Sequence, residues 1–364
     1  MITAMFGGSF DPLHNGHIHC IEEALRYCDK LFIILSHCKT RDRIDYKTRA
    51  SWLKEVTDEI LSRECFKYKD IEIKVIEDTY NSKDEYNWEA GRNDILDSCG
   101  VNGFDIVYCG SDYRNSGIFE NLYKTSEIKY IDRDDGISST RIMQDVYRSD
   151  NWNSIPKCVQ RYFLKRVLII GGESVGKSTM TKKLAKVFNT KFVREIGRDV
   201  SNRSIDEYLM PDRDFSEILI RHKSHEYSQA EKANKLLFID TDALTTLFYT
   251  HELISDPEIK DKTAKFAEAI ADVYRDTYDL IIFLEVSEKD TPFIQDGTRN
   301  INIAANRKMY SDRLKSFYDK HGYKYVTVTG TYDERTNKVV ELVKDLLKTH
   351  KARELHEARE QAHE

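Results

Sequence analysis

A glycine-rich loop in the middle of the chain constrains its folding more than any other stretch. The apolar run Val167 to Ile170 is followed by Gly171-Gly172-Glu173-Ser174-Val175-Gly176-Lys177-Ser178-Thr179, and a helix-prone segment comes next. A strand, then G-x-x-x-x-G-K-S, then a helix is the context of a phosphate-binding P-loop. The glycines let the backbone curl until its N–H groups face phosphate oxygens, and the helix adds its positive N-terminal end. Lys177 is placed to reach the β- and γ-phosphates of ATP, and Ser178 to hold Mg²⁺. Such a loop opens a domain, so the residues ahead of it must fold separately. The expected division is 1–163, 164–350 and a charged tail over 351–364.

A length of 364 residues accommodates two such domains, at roughly 100–200 residues each. With 40% hydrophobic and 32% charged residues, each half can bury a core without disulfides. The formal net charge of −6 argues against bulk nucleic-acid binding. Seven scattered cysteines, odd in number and without a C-x-x-C pair, read as reduced thiols. His17, His19 and Cys20 cluster, but no second ligand pair answers them as a zinc site would require. No apolar run is long enough to cross a bilayer. The first motif begins within ten residues of Met1, so no signal peptide is expected. The expectation is a cytoplasmic protein with small-molecule substrates, no membrane or nucleic-acid partner, and homo-oligomerisation left open.

The first half opens on a brief apolar run, Ile2 to Phe6, and then Gly7-Gly8-Ser9-Phe10-Asp11-Pro12-Leu13-His14-Asn15-Gly16-His17. A strand, glycines and a helix starting near Asn15 make a second place where amides can face phosphate. His14 and His17 fall on neighbouring positions of one helix face. They either cap the helix or donate to a polyphosphate and stabilise charge developing there. Helical Ile18–Tyr27, Lys47–Leu61 and Asn87–Leu96 alternate with strand-like Leu31–Ser36, Ile71–Ile76 and Asp105–Tyr108. That alternation predicts a parallel, doubly wound sheet with ligands beyond the carboxyl ends of its strands. The loop Lys39-Thr40-Arg41-Asp42-Arg43, with Arg49 beyond it, is either solvated or an anion contact. Trp88 is either core or a ligand platform. Ile137-Ser138-Ser139-Thr140-Arg141-Ile142 supplies helix caps, or hydroxyls, amides and a guanidinium for a departing anion.

In the second half, strand-like Lys191–Arg194 leads to Glu195, a carboxylate placed to accept a proton from a hydroxyl or to join a surface ion-pair network. Phe215–Lys232 reads as a scaffold helix. Leu236 to Asp240 is a hydrophobic strand ending in acids, with Asp242 two residues on. A carboxylate there can reach a metal on Ser178, which nominates Ser178 and Asp240 as the Mg²⁺ pair. Buried Leu280–Val286 precedes Thr291-Pro292-Phe293-Ile294-Gln295-Asp296-Gly297-Thr298-Arg299, either a plain turn or a clasp for ribose and phosphate. Asn306-Arg307-Lys308 starts an amphipathic helix suited to a lid.

Gly7 to His17 resembles the G-x-F-x-P-x-H-x-G-H signature of the nucleotidylyltransferase superfamily, and Ile137 to Ile142 resembles its I-S-S-T-x-I-R partner, with Met143 where the final arginine is expected. With the P-loop, Phe238-Ile239-Asp240-Thr241-Asp242 and Gln295 to Arg299, the chain resembles bifunctional nicotinamide-nucleotide adenylyltransferase/ribosylnicotinamide kinases of the NadR type, from Gly7 to about Leu347. The resemblance implies two α/β domains, a Rossmann-like nucleotidylyltransferase fold and a P-loop kinase fold, without the helix-turn-helix repressor domain some members carry. It implies phosphorylation of nicotinamide riboside by ATP, then adenylylation of the mononucleotide (NMN) to NAD and pyrophosphate, with Mg²⁺.

The implied catalytic residues are His14, His17, Lys177, Asp240 and Glu195. ATP would be held by Gly7, Gly8, Ser9, Phe10, Ser138, Ser139, Thr140 and Arg141 in the first domain. In the second it would be held by the loop from Gly171 to Thr179 and by Arg307. Substrate contacts would come from Trp88, Arg49, Asp242, Asp296 and Arg299. Two alternatives stand beside this reading: a phosphopantetheine adenylyltransferase joined to a dephospho-coenzyme A kinase, and a nucleotide-sensing regulator with weakened catalysis.

Overall fold

The computed structural model describes residues 1–132, 137–201, 203, 211–287 and 306–348. The chain divides into two compact units, Met1–Tyr162 and Phe163–Glu364. The expected tail over 351–364 lies outside the described residues.

Unit 1 alternates β1 (Thr3–Gly8), α1 (Asn15–Tyr27), β2 (Lys30–His37), α2 (Tyr46–Leu61), β3 (Asp70–Glu77), α3 (Trp88–Cys99), β4 (Ile106–Gly110), α4 (Ile118–Leu122) and β5 (Glu127–Ile131). Short helices α5 (Ser139–Gln144), α6 (Ser149–Asn153) and α7 (Lys157–Phe163) follow. Its strands are parallel in the order β3-β2-β1-β4-β5. The apolar runs of β1, β2 and β4 are buried, as parallel central strands require. On α1, Ile21, Ala24 and Leu25 recur at helical spacing and are all buried. Asn87 caps α3 by accepting the Ala90 N–H, and Gly100 ends it in the left-handed conformation. Edge strand β5, Glu127-Ile128-Lys129-Tyr130-Ile131, escapes a reading by apolar runs because charged residues interrupt it.

Unit 2 runs β6 (Lys165–Gly171), α8 (Lys177–Val187), β7 (Lys191–Val193), α9 (Gly197–Ser201), α10 (Asp214–Ala230), β8 (Leu236–Asp240), α11 (Ala243–Leu253), α12 (Pro257–Tyr274) and β9 (Leu280–Leu284). Among the described residues α13 (Arg307–Lys320), β10 (Val326–Val328) and α14 (Tyr332–Lys348) complete it. The order β10-β9-β6-β8-β7 is again parallel throughout. Period-two alternation splits these strands between two cores: Leu168, Ile170, Leu237, Ile239 and Phe283 face one way, while Val167, Ile169, Leu236, Phe238 and Ile282 face the other. Burial on both faces explains why the strands read as unbroken hydrophobic runs. In each sheet the first strand lies between neighbours reached in opposite directions. The loops after β1 and β6 therefore sit where strand order reverses, the place where such sheets take ligands.

Candidate active sites

In unit 1, a cavity of about 590 Å³ opens beyond the carboxyl ends of the strands. Gly7, Gly8, Ser9, His14, His17, Trp88, Ser138, Ser139 and Thr140 all line it. The histidines stack at 3.7 Å between ring centroids. His14 is the residue before α1 and His17 its third residue. The His14 N–H donates to His17 Nδ1 at 3.3 Å, which leaves the proton of a neutral His17 ring on Nε2. Capping and lining, set apart above as alternatives, coexist here: one nitrogen of His17 ends the helix while the ring faces the cavity. Ser138 caps α5, its hydroxyl accepting the Arg141 N–H, and the Ser139 hydroxyl donates to the Pro12 carbonyl at 3.0 Å. The two motifs, far apart in sequence, are thus bonded to one another.

Three expected ligand residues of unit 1 do not line the cavity. The Phe10 ring is fully buried, edge-on to His17 at 4.9 Å, and supports that ring from behind. Arg49 is equally buried, and its guanidinium donates to the Ser9 carbonyl and pairs with Asp42. It braces the loop that carries Ser9. Arg141 pairs with Asp150 at 2.7 Å, and Arg148 converges on the same carboxylate. Neither side chain takes the place in the cavity wall that the motif arginine at Met143 would have suggested.

Residues without a motif complete this wall. Trp88 meets Tyr86 edge-on at 4.8 Å, and Tyr113 and Phe119 each at 5.9 Å. The result is an aromatic box beside Arg41, which is bonded to Asp78. The density of Tyr80, Tyr86 and Trp88 along one stretch was the available sequence signal. Phe119 had none, because it arrives from another element.

In unit 2 the P-loop curls as its glycines allow. Gly176 takes φ +87° at the start of α8, a left-handed value, and Ser174 takes +58°. Gly171 lies so close to β9 that a Cβ there would come within 2.5 Å of the Leu284 carbonyl oxygen. Side-chain donors meet the loop carbonyls. Lys177 Nζ donates to Gly171 and Gly172 at 3.1 and 2.9 Å. Arg307 donates to Glu173 and Ser174, both at 3.3 Å. Arg335, only 2% exposed, donates to Val175 at 2.8 Å. Arg307 therefore braces the loop through these two carbonyls and is not among the residues lining the cavity beside it. Arg335 gave no sequence signal.

A cavity of about 120 Å³ is lined by Glu173, Ser174, Lys177, Glu195, Arg198, His222, Thr245 and Tyr249, among others. Ser178, the second residue of α8, is half-buried and Thr179 is exposed. At the end of β8, Asp240 is fully buried, and its two carboxylate oxygens have no hydrogen bond at ordinary distance among the described residues. Burial, then the charge of Glu195, raises its carboxyl well above the usual range; Lys177, the Ser178 hydroxyl and Arg198 pull it back. A buried carboxylate with no hydrogen bond at ordinary distance and a P-loop serine hydroxyl beside it fits a hard cation. No three His, Cys, Asp or Glu among the described residues form a ligand cluster. A cation here would take most of its oxygens from phosphate and water.

Asp242, expected to contact substrate, caps α11 instead. Its Oδ1 accepts the Thr245 N–H at 3.0 Å and the Tyr318 hydroxyl, fully buried. Asp296 and Arg299 lie outside the described residues. Among those residues no helix is long and apolar enough to cross a membrane.

The fold and both sites define a chain of two nucleotide-binding α/β units. The cytidylyltransferase-like family model matches residues 5–145, and the AAA domain model matches residues 166–335. The trifunctional NAD biosynthesis/regulator protein NadR of Escherichia coli is 31% identical over 93% of this chain and 82% of its own length. This chain belongs to the NadR family. Two solved NadR structures share the fold, one in complex with NR and one with NAD and AMP-PNP, at TM-scores of 0.75 and 0.73. Each covers 95% of this chain and 96% of its own, at 19% and 18% identity respectively.

Proposed function

We propose that the two units catalyse successive steps of NAD synthesis, with unit 2 making the mononucleotide that unit 1 consumes. In unit 2 the 5′-hydroxyl of nicotinamide riboside attacks the γ-phosphorus of ATP, releasing ADP and NMN. Glu195, on the cavity wall, takes the hydroxyl proton. Lys177 and the loop amides hold the phosphates. Ser178 and Asp240 are the residues that would hold Mg²⁺, which when bound neutralises charge on the β- and γ-oxygens.

In unit 1 a phosphate oxygen of NMN attacks the α-phosphorus of ATP, and pyrophosphate leaves. His17, its proton on Nε2, and His14 stabilise the charge that develops, while Ser138, Ser139 and Thr140 receive the pyrophosphate end. Trp88 and its aromatic neighbours suit a flat, positively charged pyridinium ring. No covalent intermediate is needed; alignment and charge stabilisation suffice.

The observation that carries this reading is the pair of separately built phosphate cradles, one after β1 and one after β6, in a chain of the NadR family. The NadR match runs through both halves, which favours nicotinamide nucleotides over the coenzyme A alternative. The test is to assay Lys177→Ala and His17→Ala separately. The first is expected to lose riboside phosphorylation and keep NAD synthesis from NMN, and the second the reverse. Loss of both activities in either folded variant would refute the two-site assignment.

A further inference from the structure

Neither carboxylate oxygen of Asp240 has a hydrogen bond at ordinary distance, so its place beside the Ser178 hydroxyl depends on where the end of β8 is held. The backbone there turns sharply. Thr241 takes φ +65°, a left-handed value that a β-branched residue rarely adopts. Its N–H donates across to the Ile169 carbonyl at 3.1 Å. The Asp240 carbonyl, one residue beyond the last β7–β8 pair, Val193 with Ile239, takes two donors. One is the Thr241 hydroxyl at 2.6 Å. The other is Nε2 of His222 at 3.1 Å, which must carry its proton because a carbonyl only accepts.

His222 comes from α10, one helical turn after Ile218. It is 7% exposed, yet it lines the same cavity as Lys177 and Glu195. Its ring thus touches both the acceptor cavity and the peptide that aims the Asp240 carboxylate. From this geometry we propose that His222 is a positioning residue for phosphoryl transfer. By donating to the Asp240 carbonyl it holds the strained strand end so that the carboxylate faces Ser178. The inference rests on the kinase reading of unit 2.

The test uses the full chain and measures two midpoints against Mg²⁺ concentration: that of the rise in melting temperature in the presence of AMP-PNP, and that of the initial rate of riboside phosphorylation at saturating ATP and riboside. Four proteins are compared: wild type, His222→Leu, His222→Gln and Thr241→Val. His222→Leu removes the donor. It is expected to raise both Mg²⁺ midpoints about tenfold and to lower kcat, the scale on which residues supporting a metal ligand act. The riboside KM is expected to move less. His222→Gln can place an amide N–H near the lost Nε2 and is expected to recover most of the shift. Thr241→Val removes the second donor and moves both midpoints the same way by a smaller factor.

A folded His222→Leu protein with either midpoint at the wild-type value overturns the proposal. So does a glutamine variant as impaired as leucine when both melt like wild type. Should leucine fail to fold, Thr241→Val and His222→Gln still decide: wild-type midpoints in both refute it. Lys177→Ala separates the two levels. If it retains riboside phosphorylation, the kinase assignment itself fails; if it loses it, the midpoints judge His222 alone.

Discussion

His17 illustrates how one side chain joins structure to chemistry. It accepts from the His14 N–H, and its ring stacks on His14 over the cavity. His17→Ala is expected to cost about 1 kcal/mol as a lost helix-terminal interaction and to lower NAD synthesis from NMN by roughly a hundredfold or more. A melting curve beside a coupled NAD assay separates the two effects. Asp242 makes the opposite case. Burial raises its carboxyl above the unfolded value, so the folded state holds the proton more tightly. The charge therefore costs stability increasingly as pH climbs from about 4 towards the raised folded-state value. Asp242→Asn keeps the acceptor for Thr245 and Tyr318 and removes the charge. Its melting temperature should gain on wild type as pH rises from 4.5 to 8 (roughly the window set by the carboxylate reference value), and riboside phosphorylation should persist. Loss of that activity in a stable variant would return Asp242 to the substrate site. The motif histidines and Lys177 were legible in sequence because their spacing from a turn fixes their direction. Phe10, Arg49 and Asp242 were not, because adjacency to a motif does not say which way a side chain points.

At the scale of elements, the P-loop is held through its own carbonyls by three basic side chains. Its carbonyls take donors from Lys177, Arg307 and Arg335. Arg335→Met would leave the Val175 carbonyl without its buried donor, costing about 1–3 kcal/mol. The ATP KM of riboside phosphorylation is expected to rise with it. Gly171→Ala would drive a Cβ to 2.5 Å from the Leu284 carbonyl oxygen and separate β6 from β9. Calorimetry should show unit 2 destabilised, while NAD synthesis from NMN continues. The central strands were legible because both faces are buried and the residues run apolar. β5 and the three-residue β10 were not. The other two edge strands, β3 and β7, did show in the sequence as Ile71–Ile76 and Lys191–Arg194. By contrast, β5 and β10 are too short or too interrupted by charge and hold their place by pairing with a neighbour.

For the whole molecule, two cradles in one chain predict that the activities separate and recombine. Lys177→Ala and His17→Ala should each fail to make NAD from riboside. Mixed together with ATP and Mg²⁺ they should succeed, because NMN released by one chain is substrate for the other. A mixture that makes NMN but no NAD would contradict that expectation. By itself the sequence determined that there are two phosphate cradles, their order, and the parallel α/β character of both halves. Glycine spacing, a following helix and unbroken apolar strands act within about ten residues of one another, the range of a single strand–turn–helix unit. Only the tertiary structure decided which charged groups face the cavities and which brace them. Arg335 meets Val175 across 160 residues of chain, and His222 meets Asp240 from a different element. Such pairs exist only once the sheet and its helices have packed, because burial, and not local spacing, creates the need each partner meets.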